Sequence, residues 1–465
     1  MNQTFIKELR NKKVLVMGLG LHGGGVETAR FLAKAGAQVT CTDLRNEETL
    51  KSSIEKLSGL NINFVLEEHR ANDFDNADII VKNPAVPSDS PWLRGKNNIE
   101  TDISLFLKVS ESPVLAVTGS KGKSSVVSAM HYLLKNKYPG VKLGGNITVS
   151  PLSFAEDLSP LDPVILELSS WQLADLKNNS NFHPEIAAIT NLLKDHQNRY
   201  NTFSEYEKDK KLIFSNSSEN DFTIFPSDSY GKKWSLESKA KTICVLTDFS
   251  TPGSSGNGNY GTAWFEEKSG WVKTNGKAEK ILPGAFAVPG EPFKINMLFA
   301  AVFAYLKGVS AEEIFTRSSD FRGVPYRMEK FLSAGGITCI DDTTATIPDA
   351  AAAAVKAADS PVILIAGGND KELDFTAFDS AAQIPKKIIM LEGSATEKWL
   401  PRLKSLGASA EGPFENLESA VKKAKEEAVA GDIILLSPGA TSFGMFNHEF
   451  ERGDSFKQIC RKLFL

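Results

Sequence analysis

The stretch VLAVTGSKGKSS, residues 114–125, decides how this chain is read. Five apolar or β-branched residues, too few for a helix, stop at Gly119. The loop residues Gly119, Ser120, Lys121, Gly122, Lys123, Ser124 and Ser125 then lead directly into VVSAMHYLLKN (126–136), which has helical spacing. A strand that passes through glycines into a helix turns backbone N–H groups and a helix N-terminus toward one point, which suits an anion. Phosphate is therefore the expected ligand, with Lys123 neutralising its charge and the Ser124 hydroxyl available to Mg²⁺. The usual spacing of such a loop asks for a glycine where Val117 stands. The plain alternative is a glycine turn between strand and helix.

Outward from this loop, VILEL (164–168) and EIAAIT (185–190) read as further strands of one parallel sheet. Glu167 emerges at the carboxyl end of the first, where α/β sites form. NLLKDHQNRY (191–200) follows the second and offers Asp195 and His196. Residues 215–280 change character. Rich in Ser, Asn and Gly, with alternating pieces such as TAWFEEK and WVKTN, they read as hairpins or a peripheral sheet. Beyond residue 320 the apolar-strand logic returns at ITCID (337–341), VILIAGG (362–368), KIIML (387–391) and DIILLSPG (432–439), and DAAAAAVKAA reads as an Ala-rich helix.

Before the loop, KVLVM (13–17), GLGLHG (18–23), a helical stretch at 26–35 and AQVTCTD (37–43) make a βαβ unit that ADIIVKN (77–83) extends. Gly18, Gly20 and Gly23 have G-x-G-x-x-G spacing, and Asp43 follows at the end of the next strand. This pattern admits a diphosphate and an acid on a ribose, without saying which nucleotide.

Length and composition bound the rest. At 465 residues the chain is expected to form about three domains, drawn at 1–110, 111–319 and 320–465. With 42% hydrophobic and 24% charged residues it is an ordinary globular composition. The 53 Lys and Arg against 57 Asp and Glu leave no excess positive charge for nucleic acid or an anionic membrane. Cys41, Cys244, Cys339 and Cys460 lack metal-binding spacing and are expected to be reduced thiols. The start MNQTFIKELRNKK has no apolar core of a leader, and no apolar run is long enough to span a bilayer. A cytoplasmic protein without membrane insertion is expected.

Taken together, GLGLHG, VTGSKGKSS, GGNI (144–147), LELSSWQL (166–173), the Asp-His of NLLKDHQNRY, YEKDKKLIF (206–214), FRGVPYRME (321–329), DDTTAT (341–346), GGNDKELDF (367–375), LSPGATSFGMF (436–446) and ERG (451–453) resemble the ATP-dependent Mur ligases of peptidoglycan synthesis, in order and over nearly the whole chain. The short Gly-x-x-Gly-Lys-Ser spacing of that family accounts for Val117. The resemblance is strongest to the branch that joins D-glutamate to UDP-N-acetylmuramoyl-L-alanine. It implies an α/β fold of three domains: a Rossmann-like UDP-binding domain, a central P-loop ATPase-type domain with a parallel sheet, and a Rossmann-like C-terminal domain.

The resemblance also implies roles. ATP would phosphorylate the substrate carboxylate, and the amine of D-glutamate would attack the acyl phosphate. The 119–125 loop, Asn296, Arg327 and Asp342 would contact ATP. Ser124, Glu167, His196 and Lys210 would hold two Mg²⁺ ions, Lys210 after carboxylation at its amine; Lys123, Glu167, His196 and Lys210 form the catalytic set. Gly18, Gly20, Leu21, His22, Gly23, Asp43, Arg45, Asn83, Asn146 and Ser169 would face the UDP-substrate, and Thr346, Lys371 and Ser442 the amino acid. A monomer is expected. The amino-acid pocket departs from the pattern: Thr344 replaces a lysine, Gly444 an aspartate, and G-x-H-N-x-x-N reads Gly290-Glu291-Pro292-Phe293-Lys294-Ile295-Asn296, keeping its last Asn but neither its His nor its first Asn. Alternative readings are a ligase of changed amino-acid specificity, a folylpolyglutamate-synthase-like ligase, an NAD oxidoreductase resting on the first glycine loop alone, and a nucleotide-binding regulator without turnover.

Overall fold

The computed structural model describes the chain apart from residues 22, 88, 148, 194–199, 201, 250–255, 257, 289, 359, 371–372, 443 and 447. Two compact units result, Met1–Gly284 with Ile295–Ser318, and Ala285–Lys294 with Ser319–Leu465.

The first unit holds two sheets. One is wholly parallel, in the order Ile62–Leu66, Gln38–Asp43, Lys13–Met17, Ile79–Lys82, Ile99–Glu100. Strand order reverses between Lys13–Met17 and Ile79–Lys82, and at such a switch point the loops diverge and leave a crevice at the carboxyl ends. The larger sheet runs Lys277–Leu282, Ser269–Thr274, Gly261–Glu266, Lys241–Val245, Phe222–Pro226, Ile186–Ile189, Val114–Thr118, Val164–Glu167, Lys142–Gly145. Every residue of Val114–Thr118 is buried, as expected of a central parallel strand covered on both faces. Each fully buried Val or Leu there contributes ~1.5–3 kcal/mol. The apolar cores of both sheets are continuous, from Leu9 and Val14 through Phe106 and Leu166 to Trp234.

Residues 215–280 divide in two. TAWFEEK and WVKTN form the expected antiparallel edge. Phe222–Pro226 and Lys241–Val245, however, extend the parallel sheet around the helix Ser229–Glu237. Their polar flanks hide strands whose own residues are mostly buried.

The second unit has a sheet in the order Glu329–Ala334, Ile337–Asp341, Ile433–Leu436, Val362–Gly367, Lys387–Leu391, Ala410–Phe414, parallel except for its first pair. Helices Pro348–Ala357 and Ser394–Ser405 cover one face, with Trp399 between them and the sheet, and Leu417–Glu427 and Glu449–Phe464 cover the other. All four cysteines are buried free thiols. Among the described residues, no helix is long and apolar enough to cross a membrane.

Candidate functional site

Gly119 has φ +147, a conformation other residues avoid, and a Cβ there would collide with Thr190 Oγ1. This contact ties the loop to the end of the neighbouring strand. Ser120 N donates to Asn191 O at 3.1 Å, Lys121 N to Asn191 Oδ1 at 2.9 Å, and Thr190 Oγ1 to Lys121 O at 2.6 Å. The loop is thus held from outside before any ligand arrives. Gly122 is the left-handed N-cap of the helix Lys123–Leu134 and touches Asn296.

Two lysines converge on one carbonyl of this loop. Lys123 Nζ donates to Gly119 O at 2.9 Å and to Ser120 O at 3.1 Å. Lys210 Nζ donates to the same Gly119 O at 2.9 Å and to Thr118 Oγ1 at 3.4 Å, and lies 4.7 Å from the centre of the Tyr206 ring. Lys210 is only 2% exposed, so the plain reading of YEKDKKLIF as a solvated helix face fails at this position. Lys211 keeps to that reading and pairs with Glu237. Tyr206, one helical turn before Lys210 and 1% exposed, shares a hydrogen bond of 2.9 Å with Ser120 Oγ. It completes the wall, yet nothing in its sequence surroundings singles it out.

Glu167 pairs in register with Val117, one strand away from the loop. It is 1% exposed; Oε1 accepts from Asn146 Nδ2 at 3.1 Å, whereas buried Oε2 has no hydrogen-bond partner among the described residues. A buried carboxylate oxygen left without a donor is costly unless a cation completes it. With the Ser124 hydroxyl at the helix start, the donor set is hard oxygen, which suits Mg²⁺. His196 lies outside the described residues.

The first glycine loop lines a different cavity, of about 590 Å³. Gly18, Gly20, Leu21, Asp43, Arg45, Asn83 and Asn146 all border it, and so do His69, Trp92, Asp102, Ser150 and Gln172, which sequence reasoning missed. Asp43 Oδ2 accepts from Gly20 N at 3.1 Å and Oδ1 from Arg45 N at 3.0 Å. His69 Nδ1 and Thr42 Oγ1 are 2.7 Å apart, and the ring meets Trp92 edge to face. Burial lowers the His69 pKa against the opposing pull of Asp43, and burial raises that of Asp102. Gly23 serves as a left-handed N-cap, not as the close-packing glycine; that is Gly25, where a Cβ would run into the carbonyls of Gly18 and Leu19. Gly23 and Ser169 do not border the cavity. Ser169 instead caps Ser170–Asp175 in a reciprocal box with Gln172. His22 lies outside the described residues.

In the second unit, Ser442 is 5% exposed and lines a cavity of about 260 Å³ with Asn369, Glu392, Glu415, Gly444, Phe446 and Arg452. Thr346 does not border it, and Lys371 is outside the described residues. Thr344, the residue in place of the patterned lysine, turns its hydroxyl to Tyr326 O at 2.9 Å. Asp342 Oδ1 accepts from Met328 N and Oδ2 from Ser437 Oγ, and burial pushes its pKa up to about 7 while Arg327 pulls it down.

Against known families, residues 12–104 match the Mur ligase MurD-like N-terminal domain, 117–304 the Mur ligase middle domain and 326–439 the Mur ligase glutamate ligase domain. A UDP-N-acetylmuramoylalanine–D-glutamate ligase of Borreliella afzelii is 41% identical over 98% of this chain and 99% of its own length. Ligases of the same name are 34% identical in Treponema pallidum, over 98% of both chains, and 36% identical in Roseiflexus, over 97% and 99%. Among solved structures, UDP-N-acetylmuramate-alanine ligase MurC of Thermotoga maritima shares the fold with a TM-score of 0.62 at 20% identity, covering 97% and 100% of the two chains. MurF ligase of the same organism, solved with ADP, does so at 0.57 and 15%, over 98% and 100%. With three domain matches in order and relatives this similar from end to end, the chain belongs to the Mur ligase family.

Proposed function

We propose that this protein is an ATP-dependent amide ligase that joins D-glutamate to UDP-N-acetylmuramoyl-L-alanine, giving ADP and phosphate. The observation that carries the reading is the meeting of Lys123 and Lys210 on the Gly119 carbonyl, one strand from buried Glu167. Positive charge from Lys123 beside a glycine loop whose N–H groups face one point suits a triphosphate, and a second lysine at the same carbonyl, with Glu167 one strand away, places the groups that could hold its metal next to it. The residues drawn at 1–110 would bind the UDP moiety, 111–319 ATP, and 320–465 the amino acid.

In this reading the 119–125 loop cradles the phosphates with its N–H groups while Lys123 offsets the charge that develops on the transferred phosphoryl group. The substrate carboxylate attacks that group, and the glutamate amine then displaces phosphate from the acyl phosphate. Asn296, Arg327 and Asp342 would belong to the ATP contacts; Asp43, Arg45 and Asn83 to the UDP contacts; Ser442, Thr346 and Lys371 to the amino acid. Ser124 and Glu167, with His196 and a carboxylated Lys210, would hold two Mg²⁺ ions, which when bound offset the repulsion between triphosphate and carboxylate. Carboxylation needs the neutral Lys210 amine to add CO₂ and release a proton, which turns a cation beside the loop into an anionic oxygen ligand. The reading needs no nucleic-acid partner, membrane insertion or oligomer, and it fits a cytoplasmic protein.

The test is phosphate release from ATP in the presence of UDP-N-acetylmuramoyl-L-alanine, with and without D-glutamate. Release that requires both substrates is expected. ATP hydrolysis indifferent to the UDP compound, or turnover with a diamino acid in preference to D-glutamate, would reject the assignment.

A further inference from the structure

The 590 Å³ cavity has walls from two sheets: the turn 83–87 after the strand Ile79–Lys82, and the helix Ser170–Asp175 with Asn146 of the larger sheet's edge. One side chain touches both walls from behind. Lys82, the last residue of its strand, is 3% exposed; its Nζ lies 2.6 Å from Oδ2 of Asp175, itself 9% exposed at the end of that helix. The same ammonium donates to Val86 O at 3.1 Å, inside the turn whose residues Asn83, Pro84, Ala85, Val86 and Pro87 all border the cavity. Gln172, three residues before Asp175, borders it from the helix.

We propose that Lys82 and Asp175 are a positioning pair for the UDP-linked substrate: the ion pair sets the spacing between the wall that holds the nucleotide diphosphate and the wall that holds the acyl end. This rests on reading the cavity as the UDP-substrate site. A ligand that spans both walls feels any change in their separation, and a displacement of about 1 Å can cost ~10² in function. Stability does not explain the pair well, because apolar replacement of a buried ion pair is often neutral. What two charges and a carbonyl add over apolar packing is direction, since they are satisfied together in one arrangement of turn and helix.

The experiment compares wild type with Lys82→Met/Asp175→Leu, which removes both charges and strands neither, and with Lys82→Arg. Dissociation constants for UDP-N-acetylmuramoyl-L-alanine come from calorimetry, and KM for that substrate and for ATP, with kcat, from phosphate release. We expect the double variant to weaken UDP-substrate binding and raise its KM about tenfold, with KM for ATP and kcat within about threefold. Lys82→Arg, which keeps the charge, should recover most of the loss. Unchanged UDP-substrate affinity overturns the inference, and so do equal shifts in both KM values, which would mark the pair as merely structural. Should the double variant fail to fold, Lys82→Arg and Asp175→Glu carry the same test, with a raised KM for the UDP-substrate alone supporting the inference and equal shifts rejecting it. A wild type that does not bind the UDP compound would overturn the functional reading instead.

Discussion

The two glycine loops of the first unit are built alike and equipped differently. Each follows a buried parallel strand, Lys13–Met17 or Val114–Thr118, and each ends in a glycine with left-handed backbone that caps the next helix. Around the first, Asp43 accepts from Gly20 N at 3.1 Å and is paired with Arg45, so that a carboxylate offsets the guanidinium beside the loop's backbone. Around the second, Lys123 and Lys210 crowd one carbonyl. Glycine spacing therefore makes room for phosphate in both places, while the side chains that neighbouring strands and helices bring up decide how much negative charge each can hold.

The contrast breaks most decisively at Lys123. If this loop is the polyphosphate site, Lys123→Ala should lower kcat by about 10³-fold while leaving the thermal transition in place, since the side chain is bonded to its own loop and does not fill the core. Near-normal turnover would make the two loops equivalent after all. Lys210→Ala should lose about 10²-fold, with formate or acetate restoring part of it by occupying the vacated oxygen positions, whereas Lys211→Ala should be tolerated. Full activity in Lys210→Arg would remove carboxylation from the account, because a guanidinium cannot form the carbamate.

On the other side of the contrast, Asp43→Asn should raise KM for the UDP-substrate about tenfold and leave KM for ATP unchanged, through loss of charge-assisted hydrogen bonds. A larger effect on ATP would mean the loops had been assigned the wrong way round. A last prediction, read in stability and not in activity, extends the comparison to a third strand end. Asp342 is buried and its pKa is pushed up to about 7, so the folded protein keeps a proton that the unfolded chain releases near 3.8. The sign follows: stability falls as pH rises from ~4 to ~7, and Asp342→Asn should flatten that slope by a few kcal/mol. Thermal unfolding at pH 5 and pH 8 reads the difference, and an unaltered slope would show that Asp342 is ionised in the fold.

How much of this was legible in the chain varied with burial on both faces. Strands such as Val362–Gly367 and Lys387–Leu391 announce themselves because a central parallel strand must be apolar nearly throughout. Ile99–Glu100, Lys142–Gly145 and Ala410–Phe414 lie at sheet edges, where polar residues and glycine are tolerated and the partner strand supplies the definition. Glu167 could be proposed as a ligand from its place at a strand end, but only the fold shows that one of its oxygens is buried without a donor.

The chain by itself determined the strand–glycine–helix units, the anion-binding character of residues 119–125 and the order of the motifs, because these depend on spacings of a few residues that local backbone geometry enforces. Tertiary structure decided which side chains serve them. Lys210 sits 91 positions from Gly119, among charged neighbours that suggest solvent, and becomes a buried loop ligand because helix Phe203–Lys211 packs with Tyr206 and Lys210 inward. Lys82 and Asp175, 93 positions apart, meet across two sheets. Contacts of that range carry no periodic trace in the sequence, since closing a long loop fixes no spacing between its ends.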